Sequence, residues 1–508
     1  MLAVCILRLW IAPLRSSFWV DEMATVFVVQ HGAADPSFQV APQVPASIYY
    51  VLPRMADALF GVSEIGYRLP SVLLMLVALL LIARLAQRLI HPDAGWFAVF
   101  ACFLLREFNY QAADARPYAL GTCLACASLL FLVRWLDSGG WLDAGLFVLF
   151  GTLVWRAHLL FWPVYLIFAI YTLVRLVRGH SQAGWLQAGV VYAVLGVSLL
   201  PVLAQAFELS RQARAHVVAE TPSAVDLLKA LKLGYVAPFC LVSALLGRWF
   251  KWPLVKQPWS VDSLFLILAL WLCDPFCLFA FSLISGNSVF LSRYLYLALP
   301  GIALAATLAA AVFLPRKYWR PMAALLGIGI LIFAGRWNHL VPAHHNSDWR
   351  GAALAIDKEV AGRDVPVLCP SPFIEARPPA WRPGDRAASF LYSHLAVYPV
   401  QGNVYRFPYA TSPLAEQYAA ALTQGTLATS QEFIVYGGDR AAHFWQHWFS
   451  ARPELAGWRV RSLGAFGDVE VLVFEKPITA RNSPSVVAGS SIPGSVWRPM
   501  GRAWRHPW

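Results

Sequence analysis

Charged side chains are scarce in this sequence, so those that fall between its apolar runs are the first candidates for chemistry. Phe18-Trp19-Val20-Asp21-Glu22 opens one polar segment. Two adjacent carboxyl groups in a helix's first turn can simply complement the helix dipole, and a Trp suits a membrane interface. The same pair can act as a site at that surface, where one carboxylate takes a proton from a hydroxyl. Asp114 and Arg116 lie together between two further apolar runs. Each would cost about 2.5–3.5 kcal/mol at a bilayer centre, so they belong in a polar cavity or at an interface, as an ion pair or as part of a site. Arg293, beside Tyr294, stands where another apolar run begins. Arginine holds phosphate through two parallel N–H bonds, or else reaches out to lipid headgroups. Arg54 and the tyrosines Tyr49 and Tyr50 fall in the first polar segment, and His158 follows Arg156 in a very short connection. Asp274, ahead of Pro275 inside an apolar run, is either a buried functional group or a hydrogen-bonding group at a broken helix. Glu64 and Arg68 are spaced as an ordinary surface pair on a helix.

The elements that must position these groups are membrane spans. The 508-residue chain is 58% hydrophobic and only 13% charged, with a mean hydropathy of +0.56. Too little charge is present to cover a soluble protein of this size. An ordinary soluble enzyme, a disordered chain and a collagen are excluded. The net charge of +12 lies mostly in the apolar part, where basic loops set topology and meet lipid phosphates, so nucleic acid is not an expected partner. Of eight cysteines, only Cys369 falls in the polar C-terminal part, which must therefore fold without an internal disulfide. Cys123 and Cys126 form a CxxC inside an apolar run and read as small packing residues.

With about 20 apolar residues per span, eleven spans are expected: 1–14, 70–90, 94–110, 118–134, 143–157, 158–175, 184–206, 230–247, 261–283, 294–314 and 321–338. The first is short, as if the chain began inside a span or an upstream start had been missed; no cleavable signal peptide is evident. Loops 84–93, 134–143, 175–183, 248–260 and 315–320 carry 11 Lys/Arg in 48 residues, against 11 in 106 for the opposite set. That asymmetry puts the first set and the N-terminus in the cytoplasm, and the 15–69 loop and everything after 338 outside. Within the first outer loop, Ile48, Val51, Leu52, Met55 and Leu59 predict a helix lying in the membrane plane, bent at Pro53.

The chain divides into 1–338, a membrane domain; 339–476, a small outer α/β domain; and 477–508, a Ser-, Pro-, Gly- and Arg-rich tail expected to be disordered. In the outer domain, helices are expected at 348–360, 414–422 and 440–450, and strands at 365–370, 432–438, 458–463 and 469–475. The fold class is thus mainly α: a polytopic membrane protein of about eleven helices, in-plane helices in its first outer loop, and a C-terminal α/β domain. No internal repeat of the kind many transporters carry is found.

Taken in order, the motifs WVDE (19–22), Tyr49-Tyr50 with GVSEIGYRLPS (61–71), DARPYAL (114–120), SRY (292–294) and DWRGAA (348–353) resemble the GT-C class of integral-membrane glycosyltransferases. The similarity is to the family 39-like branch of bacterial protein O-mannosyltransferases and aminoarabinose transferases. It covers roughly residues 1–360. Two departures stand out. The family's Pro-Pro-x-Tyr-Tyr is here Pro45-Ala46-Ser47-Ile48-Tyr49-Tyr50, and Asp114 replaces a more usual Glu.

The resemblance implies a polyprenyl-phosphate sugar as donor and a bacterial inner membrane as the location, with the outer domain in the periplasm. It implies Asp21 as the catalytic base, Asp114 as the second-loop acid and Arg293 at the lipid phosphate. Phosphate already leaves readily, so the reaction needs a base for the acceptor and cations for the departing charge. Direct displacement at the anomeric carbon would invert configuration. Asp114 and Arg116 would orient acceptor, sugar or Asp21, while Glu22 is a second base candidate on another helix face. Tyr49, Tyr50, Arg54, His158 and Tyr294 complete the expected substrate contacts. No cofactor is required; a divalent metal is compatible with converging acidic loops, but no ligand spacing calls for one. The acceptor is a glycan, lipid or protein. The alternative readings are a transporter or flippase of a lipid-linked sugar, and a non-catalytic cell-envelope assembly protein.

Overall fold

The computed structural model describes residues 1–212, 220–252, 259–333, 344–387 and 389–477. The expected tail lies outside these residues, apart from position 477, as does the end of the last expected span. Helices dominate the first two thirds. Five are long and apolar enough to cross a membrane, and the count reaches seven if each of two bent pairs is one span. The five are Glu64–Leu89, Tyr118–Ser138, Leu159–Val177, Trp185–Leu209 and Val261–Ser285.

The expected eleven spans are therefore not reached among the described residues, because several apolar runs are broken. Leu2–Arg15 turns by 68° into Val20–His31, and Ala224–Ala230 turns by 48° into Leu233–Trp249. The 94–110 run divides at Leu105, whose extended backbone separates Gly95–Leu104 from Arg106–Ala112. The 294–314 run keeps only Ala298–Ala311 as α-helix, after a 3-10 turn at Ser292–Leu295. A hydropathy window averages over such breaks, since it registers side chains and not backbone continuity.

The basic loops converge at one end of the bundle. Asp137 accepts Arg88 at 2.5 Å and Arg175 at 2.6 Å, His180 meets Asp262 at 2.7 Å, and Arg316 meets Asp93 at 3.3 Å. At the other end, the first loop folds into Val20–His31, short 3-10 turns and the Val51–Phe60 helix. That helix exposes Val51, Met55, Leu59 and Phe60, the apolar face the sequence pattern predicts. Pro53 sits in its first turn, where a proline is tolerated. Ser63 caps the following helix through the Gly66 N–H at 3.2 Å, so Glu64 and Arg68 belong to the start of a span.

Residues 349–475 build a five-stranded sheet, β1 (Pro366–Pro370), β2 (Asn403–Phe407), β3 (Glu432–Gly438), β4 (Arg459–Ser462) and β5 (Val469–Glu475), in the order β2-β1-β3-β5-β4. β1 runs parallel to β2 and β3, while β5 is antiparallel to β3 and β4. Helices Trp349–Val360, Pro413–Leu422 and Asp439–Ser450 flank it. Strand β2 was not expected from the sequence. It lies at the sheet edge with every side chain but Phe407 half-buried, so it lacks the alternation that marks a strand.

This region does not stand apart from the first loop. One apolar core joins Ala24, Phe27, Phe38 and Tyr49 to Leu368, Trp381 and Phe390. A second joins Phe18, Met23 and Tyr67 to Trp349, Ile356 and Val367.

Candidate active site

The site is assembled where Val20–His31, the 113–117 loop, the Ser292–Leu295 turn and residues 344–350 meet. Asp21 is the partly open acid, its side chain 19% exposed. Its Oδ2 lies 3.2 Å from Arg293 Nη1 and 4.0 Å from Arg116 Nη2. Arg116 also donates to the Asp21 carbonyl at 3.0 Å, which ties the second loop to the first helix turn. Arg293 is bent over the ring of Tyr294, 5.4 Å from its centroid. Two guanidinium groups thus face one carboxylate.

Glu22 has a different environment. It is fully buried and receives Arg68 Nε at 2.7 Å, a second bond from Arg68 Nη2, the Ala115 N–H at 2.8 Å and the Trp19 N–H at 3.3 Å. Burial opposes its charge, but Arg68 outweighs burial and leaves the carboxyl below its ordinary pKa. The surface pair expected between Glu64 and Arg68 is not formed. Arg68 is fully buried, and its remaining N–H groups meet the carbonyls of Leu14 (3.0 Å), Ser16 (2.7 Å) and Ser17 (3.0 Å). Glu64 instead accepts Arg350 at 2.8 Å and the Tyr398 hydroxyl at 2.7 Å. The dipole-complementing role of the acidic pair is real for Glu22, which bonds the Trp19 N–H at the helix start.

Asp114 is also buried, with Trp19 Nε1 on its Oδ1 at 3.0 Å and Ser71 on its carbonyl at 2.6 Å. Burial, reinforced by Glu22, raises its pKa. Tyr49 and Tyr50 are buried beside Asp114 and Arg116, and burial raises both hydroxyl pKa values. His158 packs against Tyr118, Phe161 and Tyr294, and its Nδ1 accepts the Leu160 N–H at 3.3 Å. Burial, with Arg116 and Arg293 nearby, pushes it down to about 3, so it is a neutral imidazole with its proton on Nε2. Arg54 is exposed on the Val51–Phe60 helix and is not brought to these groups. Asp274 is buried inside its span with both oxygens lacking a hydrogen-bond partner, in a small recess lined by Cys126, Leu129, Ile167, Leu270 and Pro300.

Three residues of this site were not singled out from the sequence. Arg68 was hidden by its spacing from Glu64. Trp19 was read as an interface residue. His344, which meets Asp114 at 3.5 Å, carried one available signal, the His344-His345 pair just ahead of DWRGAA. Glu22, Asp114 and His344 each offer a ligand atom, all within 4.8 Å of one another. The Glu22 oxygens are already occupied by four N–H groups, so this trio does not fit a cation as it stands.

The sequence model of one family, described as dolichyl-phosphate-mannose-protein mannosyltransferase, matches residues 44–203. The structure is similar to that of ArnT from Cupriavidus metallidurans bound to undecaprenyl phosphate, with a TM-score of 0.51 and 13% identity over 93% of this chain and 97% of that one. The apo state of ArnT matches with a TM-score of 0.50 and 11% identity, over 93% and 96% of the two chains. No curated protein matches the sequence. The chain thus shares the fold of the ArnT structures, and residues 44–203 resemble the mannosyltransferase family.

Proposed function

We propose that this protein is a membrane glycosyltransferase that moves a sugar from a polyprenyl-phosphate donor to an acceptor hydroxyl or similar group at the outer membrane face. The observation that carries the reading is the placement of Asp21 against both Arg293 and Arg116. A donor phosphate would draw the same guanidinium groups, leaving the Asp21 carboxylate to face the acceptor. Arg293 and Arg116 then stabilise charge as it gathers on the departing phosphate, and Asp21 takes the acceptor proton. A single base opposite a single leaving group suits inversion. Glu22 is not a base in this scheme, because its oxygens are occupied; it anchors Arg68. Neutral His158 contributes a hydrogen-bond donor near Arg293 and Tyr294. The ArnT structure with undecaprenyl phosphate supports the donor class.

The site end of the bundle is assigned to the periplasm and the ion-paired basic loops to the cytoplasm, on the Lys/Arg asymmetry. The 344–477 region lies over the first loop and is assigned a part in selecting the acceptor. The recess at Asp274 is small and apolar apart from that carboxyl group, which gives a transport path little support.

The test is sugar release from a panel of labelled polyprenyl-phosphate sugars by protein in lipid vesicles, wild type against Asp21→Asn, with and without EDTA. One donor should be consumed, and the substitution should slow its consumption by about 10²–10⁴-fold without abolishing donor binding. A donor that binds, is not consumed and crosses the vesicle would replace this reading with transport. The EDTA arm tests a divalent cation.

A further inference from the structure

We propose that His344 is a positioning residue of the transfer site: it arrives from the C-terminal half of the chain, faces the buried Asp114 carboxyl group and favours its ionised form. The Asp114 role in transfer rests on the function proposed above; the charge of Asp114 does not.

Charge pairing around the site leads to His344. Arg293 and Arg116 face Asp21. Arg68 is taken up by Glu22 and by backbone carbonyls. Asp114 is left with one neutral donor, the Trp19 indole, on Oδ1, and no hydrogen-bond partner on Oδ2. The remaining polar group at that carboxyl is His344 Nε2, 3.5 Å from Oδ1 and without a hydrogen-bond partner, on an imidazole 2% exposed. An imidazole favours a facing carboxylate either by donating its N–H or by carrying positive charge. The titratable and charged groups that face this pair are Glu22 at the start of the Val20–His31 helix, Tyr49 from the first loop, Arg68 from the Glu64–Leu89 helix, Tyr110 and Arg116 from the second loop, Tyr296 after the Ser292–Leu295 turn, and His345 from the same segment, whose own neighbours include Asp21.

The ring is held on three sides. The ring lies against Tyr110 at 4.2 Å, the His344 backbone N–H donates to Ser16 Oγ at 3.1 Å, and neighbouring His345 stacks on Trp19 at 5.1 Å with the planes 2° apart. The segment is then fixed to the sheet domain. The Asp468 N–H meets the Asn346 carbonyl at 2.8 Å, and Asp348 N–H meets Phe466 at 3.0 Å. A Cβ at Gly467 would fall 1.5 Å from the Asn346 carbonyl oxygen, so only glycine permits this closeness.

The experiment uses the full chain in lipid vesicles, with the donor that the wild type consumes. The kcat/KM pH profile is compared for wild type, His344→Gln and His344→Ala, the last with and without added imidazole. The acid limb should move up by about one pH unit or more in both variants. Added imidazole should bring the limb of the alanine variant back, which a merely structural role would not do. An infrared pH titration of the protonated-carboxyl band, assigned by its loss in Asp114→Asn, should show the same upward shift and does not depend on turnover. Unmoved limb and band in folded variants would overturn the proposal, as would zinc bound by the wild type and lost with His344. If the wild type turns over no donor, the infrared arm alone decides, and the failure belongs to the function proposed above.

Discussion

Arg68 and Glu22 form the most enclosed ion pair among the described residues, both side chains being fully buried. A pair of this kind is costly to break from one side, because the remaining charge is stranded. Arg68→Met or Glu22→Gln should each destabilise the protein by about 3–5 kcal/mol, read as a loss of thermal stability in detergent. The double substitution should be markedly milder than the sum of the two. At this scale the sequence was legible where a residue's role depends on its own loop: Asp21, Arg116 and Arg293 were all marked in advance and are brought together. It was illegible where the partner is remote. The i, i+4 spacing of Glu64 and Arg68 offered a sufficient local explanation, and nothing local shows that each is satisfied by a different segment. Arg54 differs from these: it is a cation in the same loop whose helix turns it to the surface, away from Asp21.

Among the elements, Val261–Ser285 and Ala298–Ala311 approach one another backbone to backbone. A Cβ built at Gly301 would lie 2.4 Å from the Leu270 backbone. Gly301→Ala must push these helices apart, and the turn bearing Arg293 sits just ahead of the second one. Donor affinity and thermal stability should therefore both fall, while Gly329→Ala, with open space around its Cβ, should leave both unchanged. Helix ends illustrate what a pattern can and cannot fix. Ser63 before Glu64 is a legible cap. The break at Leu105 and the bend between Arg15 and Val20 are not, because an apolar run scores alike whether its backbone continues or turns.

Across the whole molecule, the sheet domain carries its own acid sensitivity. His394 is fully buried among Trp349, Tyr392 and Tyr436, with neither ring nitrogen hydrogen-bonded. Burial, with Arg406 adding to it, pushes it down to about 3, whereas an unfolded histidine titrates near 6.5. Between those values the unfolded chain binds the proton more readily, so stability is complete above pH ~6.5 and falls as the pH drops. The loss should reach about 1.4 kcal/mol by pH ~5.5. His394→Phe should flatten that dependence in melting curves taken between pH ~7 and ~5. The cores shared between the two parts of the chain give a further expectation: removing 345–508 should expose Phe18, Met23 and Phe27, and limited proteolysis should then cut within 16–69.

Glu64 accepts both Arg350 and Tyr398, and Ser16 and Ser17 receive the backbone N–H groups of His344 and Arg350. These contacts determine where two related genes could be recombined. A crossover between the membrane helices and residue 344 would take the first loop from one parent and its hydrogen-bonding partners from the other. Viable hybrids should be those in which residues 16–69 and 344–398 descend together, with the helices between them exchanged far more freely.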